Sequence, residues 1–246
     1  MAALYLVPNL LGVVEPARVL PAHTIAVARA LTHWVVETPK AARAFLKTVE
    51  VPQPIATLHI EALPKHADAA RCAGLLEPAL AGRDIGLLSD AGCPGVADPG
   101  AALVAAAHAR RVRVVPLVGP SAILLALMAA GMNGQRFAFH GYLPVRPDAR
   151  AQALLRLEQA SRNDDCTQIF IETPYRNAAM IQACAQALQA STTLCVAADL
   201  TLDTETIERR DAREWREADA RRFDKRPAIF LIQAARAPTS RPRASS

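Results

Sequence analysis

Short apolar runs alternate with amphipathic or alanine-rich stretches along almost the whole chain. Residues 4–7, 32–36, 55–60, 85–88 and 112–117 read as buried strands, each brief, apolar and bounded by proline, glycine or charge. Between them, 21–31, 41–49, 68–80 and 101–109 read as helices. A strand, a helix and the next strand recur every ~25 to 30 residues, which implies a parallel sheet covered on both faces. From 118 onward the rhythm changes. An apolar helix at 122–130, ended by Gly131, precedes strands at 137–143, 167–172, 193–199 and 229–234, with helices at 150–160 and 177–188. A further strand is placed at 204–208, and the dense charge at 209–225 reads as a solvated helix.

The pattern predicts an α/β protein of two lobes, residues 1–117 with a parallel sheet and 118–236 with a mixed sheet. Residues 237–246, rich in serine, proline and arginine, are expected to form a disordered basic tail.

One connection is too long and too punctuated to be a plain turn, because strand-to-helix loops usually take about 2 to 6 residues. It is Ser89-Asp90-Ala91-Gly92-Cys93-Pro94-Gly95-Val96-Ala97-Asp98-Pro99-Gly100. Gly92 and Gly95 let backbone approach a ligand, Pro94 and Pro99 stiffen the path, and small ligands bind at carboxyl ends of strands in such sheets. The loop lacks the glycine spacing of phosphate-binding fingerprints, and its acids would repel a pyrophosphate, so a ligand with hydroxyls or a positive centre suits Asp90 better. Asp98 reads equally as a helix cap with Pro99 at the first helical position. Ser121 is a good N-cap whose helix also offers free amide donors to a ligand.

The loop, with Gly119-Pro120-Ser121-Ala122, Phe137-Ala138-Phe139-His140-Gly141-Tyr142-Leu143-Pro144 and Ile169-Phe170-Ile171-Glu172-Thr173-Pro174-Tyr175-Arg176, resembles the tetrapyrrole methylase superfamily. Within it, the likeness points to the bacterial 2'-O-ribose methyltransferases of small-subunit ribosomal RNA. The resemblance implies two α/β lobes with a cofactor cleft between them, S-adenosyl-L-methionine as cofactor, and a homodimer. It carries over Pro8, Asp90, Ala91, Gly92, Val96, Ser121, Ala122, Ile171, Ala198 and Ala228 as cofactor contacts. Glu37, Lys40, Glu172 and Arg176 match in kind the groups that would take up the hydroxyl proton or steady the alkoxide.

Three motifs depart from that branch. Glu37-Thr38-Pro39-Lys40 stands for Glu-Asp-Thr-Arg, Asp199-Leu200-Thr201-Leu202 for Glu-Leu-Thr-Lys, and Lys225-Arg226-Pro227 for Lys-Gly-Glu. A divergent, short paralogue follows, its cofactor site kept and its acceptor site altered. The alternatives are a catalytically eroded module that binds the cofactor or RNA, and a tetrapyrrole methylase.

Charge and cysteines add bounds. With 28 Lys and Arg against 23 Asp and Glu, the net +5 permits an RNA partner without demanding one. No apolar run is long enough to span a bilayer, and the start lacks a basic leader, so a cytoplasmic protein is expected. Five scattered cysteines without C-x-x-C spacing indicate reduced thiols and no zinc site; no metal is expected. His59, isolated in its strand, reads as structural.

Overall fold

The computed structural model describes residues 2–64 and 68–235; the expected tail at 237–246 lies outside the described residues. The chain divides into two compact units, Met1–Ser121 and Ala122–Ser246.

The first unit is built on β1 (Ala3–Val7), β2 (His33–Val36), β3 (His59–Ala62), β4 (Ile85–Leu88) and β5 (Arg113–Pro116), all parallel in the order β3-β2-β4-β1-β5. Strand parity sorts its core into two layers. Val7, Trp34, Val36 and Leu88 point to a face closed by α1 (Ala22–Ala30) and α2 (Pro39–Thr48), through Ala28, Phe45 and Leu46. Leu4, Val35, Ile85 and Leu87 point the other way, onto α3 (Ala69–Leu75), α4 (Glu77–Leu80) and α5 (Ala101–Ala109). The expected two-sided parallel sheet is therefore present. Gly86 interrupts the apolar run of β4 for a packing reason: a Cβ there would lie 2.6 Å from the Trp34 ring.

In the second unit, α6 (Ala122–Ala130), α7 (Pro147–Asp164) and α8 (Asn177–Ala187) accompany a mixed sheet, β6-β7-β10-β8-β9. Its strands are β6 (Phe137–Tyr142), β7 (Thr167–Ile171), β8 (Thr193–Ala198), β9 (Thr206–Asp211) and β10 (Ala228–Gln233); only β6 and β7 pair in parallel. Phe170 stacks on Phe230 at 5.6 Å in the centre of its core.

Three local expectations are corrected. Residues 55–60 are not one strand: Ile55–Thr57 is a 3-10 turn following Pro54, and the strand begins at His59. Residues 68–80 are two helices, because Pro78 cannot donate a backbone hydrogen bond and sits in the first turn of α4. The charged stretch 209–225 is no solvated helix. Its first residues complete β9, after which α9 (Ala212–Trp215) and a 3-10 turn (Ala220–Phe223) bury Trp215 and Phe223 in the core. Two large aromatic rings outweigh the surrounding charge as a folding signal.

All five cysteines are free. Burial pushes the Cys184 thiol up to about 12 and Cys195 up to about 11, which makes both poor nucleophiles. Among the described residues, no helix is long and apolar enough to cross a membrane.

Candidate functional site

In the first unit β1, β2 and β4 end level with one another, Val7 and Val36 both lying beside Leu88. The segments leaving these strands are knitted together by Asn9, which is 5% exposed. Its side-chain NH2 donates to the carbonyls of Ser89 and Asp90, both at 3.0 Å, and its backbone N–H donates to the Gly92 carbonyl at 2.9 Å. Its Oδ1 accepts from Leu10 N–H at 2.8 Å. Gly92 has φ +67°, and a Cβ there would press on Leu11 at 3.3 Å. Pro8 is buried against Gly119, where a Cβ would come within 2.3 Å of the proline ring. Cys93 Sγ donates to the Pro120 carbonyl at 3.5 Å. Three loops thus close on one edge of the sheet.

Carboxylates gather there. Asp90 is exposed, and its Oδ1 accepts from both the N–H (3.1 Å) and the hydroxyl (2.8 Å) of Thr38. Its own N–H donates to Glu37 Oε2 at 3.1 Å. Thr38 also N-caps α2, accepting from Ala41 N–H at 3.4 Å, so that helix is anchored on the loop. Oδ2 of Asp90 makes no hydrogen bond to a described residue. Asp98, half-buried, has its carboxyl pushed up to about 6, chiefly by burial and then by the charge of Glu37, with a smaller push from Asp90. The Ser89 hydroxyl, buried and meeting Asp98 too loosely for a full hydrogen bond, offsets this only in part. Asp98 is not a helix cap: α5 begins at Ala101 behind Gly100, whose φ is +143° and which caps with no side chain.

Of the other candidates in this unit, Ala91 and Val96 are exposed on the loop, and Ser121 is half-buried at the end of the unit. Ala122 opens α6 in the second unit. Glu37 turns to the loop, its Oε2 accepting from Asp90 N–H, and Lys40 is exposed in the first turn of α2.

In the second unit, Ile171, Ala198 and Ala228 share one end of the sheet. Ala228 pairs with Ala198, and the adjacent Ile229 pairs with Ile171. Just beyond, Glu172 is buried and its Oε1 accepts from Thr173 N–H (2.6 Å) and from Arg176 Nε (3.1 Å) and Nη2 (2.5 Å). Its Oε2 is buried with no partner among the described residues. Asp199, also buried, accepts from Arg226 Nε at 2.7 Å and from the Thr204 hydroxyl at 2.9 Å. Arg226 donates further to Thr206 Oγ1 at 2.9 Å and to the Thr204 carbonyl. The acid at 199 is thus neutralised by the arginine at 226. Asn177, fully buried, joins the two clusters by donating to the carbonyls of Phe223 (2.8 Å) and Arg226 (2.7 Å).

Asn9, Asp98 and Asn177 were not marked by sequence as site residues. A polar side chain placed immediately after a strand, as in Pro8-Asn9, was the available signal for the first. For Asp98 the loop itself was the signal, and helix capping competed with it. Among the described residues no group of three or more His, Cys, Asp or Glu is placed to hold a metal ion.

No protein-family model matches the chain. Among curated proteins, it is 37% identical over 147 residues to Ribosomal RNA small subunit methyltransferase I of Vibrio cholerae, covering 60% of this chain and 50% of that protein. The protein of that name from Xylella fastidiosa is 33% identical over 179 residues, 73% of this chain and 62% of the relative. The chain thus matches between half and 62% of the length of these relatives. Among solved structures, the methyltransferase CobJ superposes with a TM-score of 0.63 at 20% identity, covering 96% of this chain and 95% of that one. Diphthine synthase gives 0.64 at 13% identity, covering 95% and 90%. The chain therefore has the tetrapyrrole methylase fold, and by sequence it is a relative of the ribosomal RNA small subunit methyltransferase I proteins.

Proposed function

We propose that the protein is an S-adenosyl-L-methionine-dependent methyltransferase acting on a ribose 2'-hydroxyl of small-subunit ribosomal RNA, as a cytoplasmic homodimer. The observation that carries the reading is Asp90. It is an exposed carboxylate at the carboxyl ends of a parallel sheet, with one oxygen fixed by Thr38 and the other open. Such an oxygen fits an amine or a ribose hydroxyl, and the charges of Glu37, Asp90 and Asp98 favour a cationic ligand over an anionic one. When bound, S-adenosyl-L-methionine supplies a methyl group already activated on a sulfonium.

Pro8, Ala91, Gly92, Val96 and Ser121 would hold the cofactor together with Asp90 in the first unit; Ala122, Ile171, Ala198 and Ala228 are the candidate contacts carried by the second. Methyl transfer makes a carbon–oxygen bond as the carbon–sulfur bond breaks, and the hydroxyl proton needs an acceptor. Glu37 is suited to take it and Lys40 to steady the developing alkoxide. Arg176 neutralises Glu172 through Oε1 and leaves Oε2 without a partner among the described residues, so the pair is suited to positioning or to holding a proton.

A second reading is favoured by the Asp199–Arg226 pair, where charge has turned inward: a paralogue that binds the cofactor without turnover. Calorimetry with S-adenosyl-L-methionine tests the shared premise. The wild type should bind, and Asp90→Ala should bind at least ~10-fold more weakly, the usual weight of a charge-assisted hydrogen bond. Absence of binding by the wild type defeats both readings. Transfer of labelled methyl to small ribosomal subunits lacking this modification separates them.

A further inference from the structure

The outer face of α2 carries a charge pattern of which the proposed chemistry uses only Lys40, at the end nearest the candidate site. At about 100° per residue, Lys40, Arg43 and Lys47 fall within about 60° of one another on the helix. Ala42, Phe45, Leu46 and Val49 are buried on the opposite side. All three cations are exposed, and none makes an ion pair with a described residue. The helix itself, Pro-Lys-Ala-Ala-Arg-Ala-Phe-Leu-Lys-Thr, contains no acid. The acids flanking it are engaged elsewhere, Glu37 by Asp90 N–H and Glu50 by Arg29 at 3.3 Å. The face lacks the alternating signs of a helix laced with i,i+4 ion pairs.

Position makes the pattern costlier still for the free protein. Lys40 sits in the first turn of α2, where the helix dipole disfavours a cation, and no acid in that turn compensates. The same turn is anchored on the candidate site, because its N-cap Thr38 donates to Asp90. From there the stripe extends seven residues, about 10 Å at 1.5 Å each. A stripe of that length runs alongside more than one successive phosphate of a nucleic-acid strand. No exposed aromatic side chain interleaves the three cations, which fits a grip on backbone rather than on bases.

We infer that Lys40, Arg43 and Lys47 form a phosphate-binding stripe that holds the sugar–phosphate backbone of the RNA next to the methyl-transfer site. The inference rests on the RNA reading above and names the surface that would present the strand. Each bound phosphate releases condensed counterions, so the stripe must show itself as salt dependence.

The experiment is fluorescence anisotropy of the full chain with a labelled 12-nucleotide single-stranded ribo-oligonucleotide, without cofactor, across a salt series. Arg43→Gln/Lys47→Gln removes two contacts and spares Lys40. At ~0.7 per phosphate, the slope of log affinity against log salt should shrink by about 1.4, and affinity at 0.1 M salt should fall roughly 25-fold. The charge-matched pair Arg156→Gln/Arg213→Gln, on exposed positions of α7 and α9, should change neither. Unchanged slope and affinity in the first variant, or equal losses in both, overturns the stripe. So does loss of binding to phosphatidylserine vesicles with RNA binding intact, which would assign the face to lipid. Failure of the methyltransferase reading shows separately, as a wild type that binds the oligonucleotide but not S-adenosyl-L-methionine.

Discussion

The two units treat the acids at their sheet edges in opposite ways. At the sheet edge of the second unit each carboxylate has its own arginine: Glu172 is clasped by Arg176, and Asp199 by Arg226 with two threonines around it. At the sheet edge of the first unit Glu37 meets the loop that carries Asp90 and Asp98, with no arginine or lysine bonded to any of the three among the described residues. The acids of the second unit are charge-compensated, whereas those of the first are not. Binding potential resides where the folded chain leaves charge uncompensated.

The largest expected effect is on the compensated side. Arg176→Ala leaves the Glu172 carboxylate buried without a counter-charge and should lower stability by about 3 kcal/mol, read as a shift of the urea midpoint. A loss below ~1 kcal/mol would mean that Glu172 is as open to solvent or ligand as Asp90, and the contrast would fail.

On the uncompensated side the sign reverses. The Asp98 carboxyl titrates near 6 in the folded protein against 3.8 in the unfolded chain, so the native state holds the extra proton between those values. Stability contributed by this group is complete below about pH 4 and is lost as pH rises through about 6. Asp98→Asn should therefore melt higher than wild type at pH 7.5, with the gap closing by pH 4, while its affinity for S-adenosyl-L-methionine falls. Equal melting temperatures at pH 7.5 would show that neither burial nor the neighbouring acids disfavour the Asp98 carboxylate.

The smallest effect probes a titrating group at the opposite end of the same sheet. His33 and His59 stack at 4.5 Å across β2 and β3, and the His33 imidazole is held below its usual 6.5 by burial first, then by His59 and Arg83. A group depressed in this way gives stability above pH 6.5 that is lost as pH falls through its folded value. His59→Gln should soften that acid loss slightly without abolishing it, since burial remains; melting curves between pH 7.5 and 5 would read the difference. An unchanged acid loss would mean that His59 contributes nothing. The pairing also accounts for His59 as a structural residue: it is the stacking partner of a neighbouring strand.

Legibility in the sequence followed the range of the forces involved. Strand and helix positions in the first unit came from local periodicity, as at β4, whose four residues are all buried. The boundary of α6 was equally local, with Ser121 before it and Gly131 behind. Where burial overrode local charge the reading failed, as between Arg209 and Lys225, because only tertiary packing could seat Trp215 and Phe223. Proline at position 78 was visible, yet its consequence for one helix or two depended on the chain direction around it.

By itself the sequence determined that this is an α/β chain with a glycine-rich acidic loop after a central strand, because periodicity and turn chemistry act over a few residues. Tertiary structure alone decided which charges meet. Thr38 lies 52 residues from Asp90, Arg226 lies 27 from Asp199, and Asn9 lies 80 from Ser89. Partnerships at that separation are set by strand order and loop packing, which no local pattern encodes.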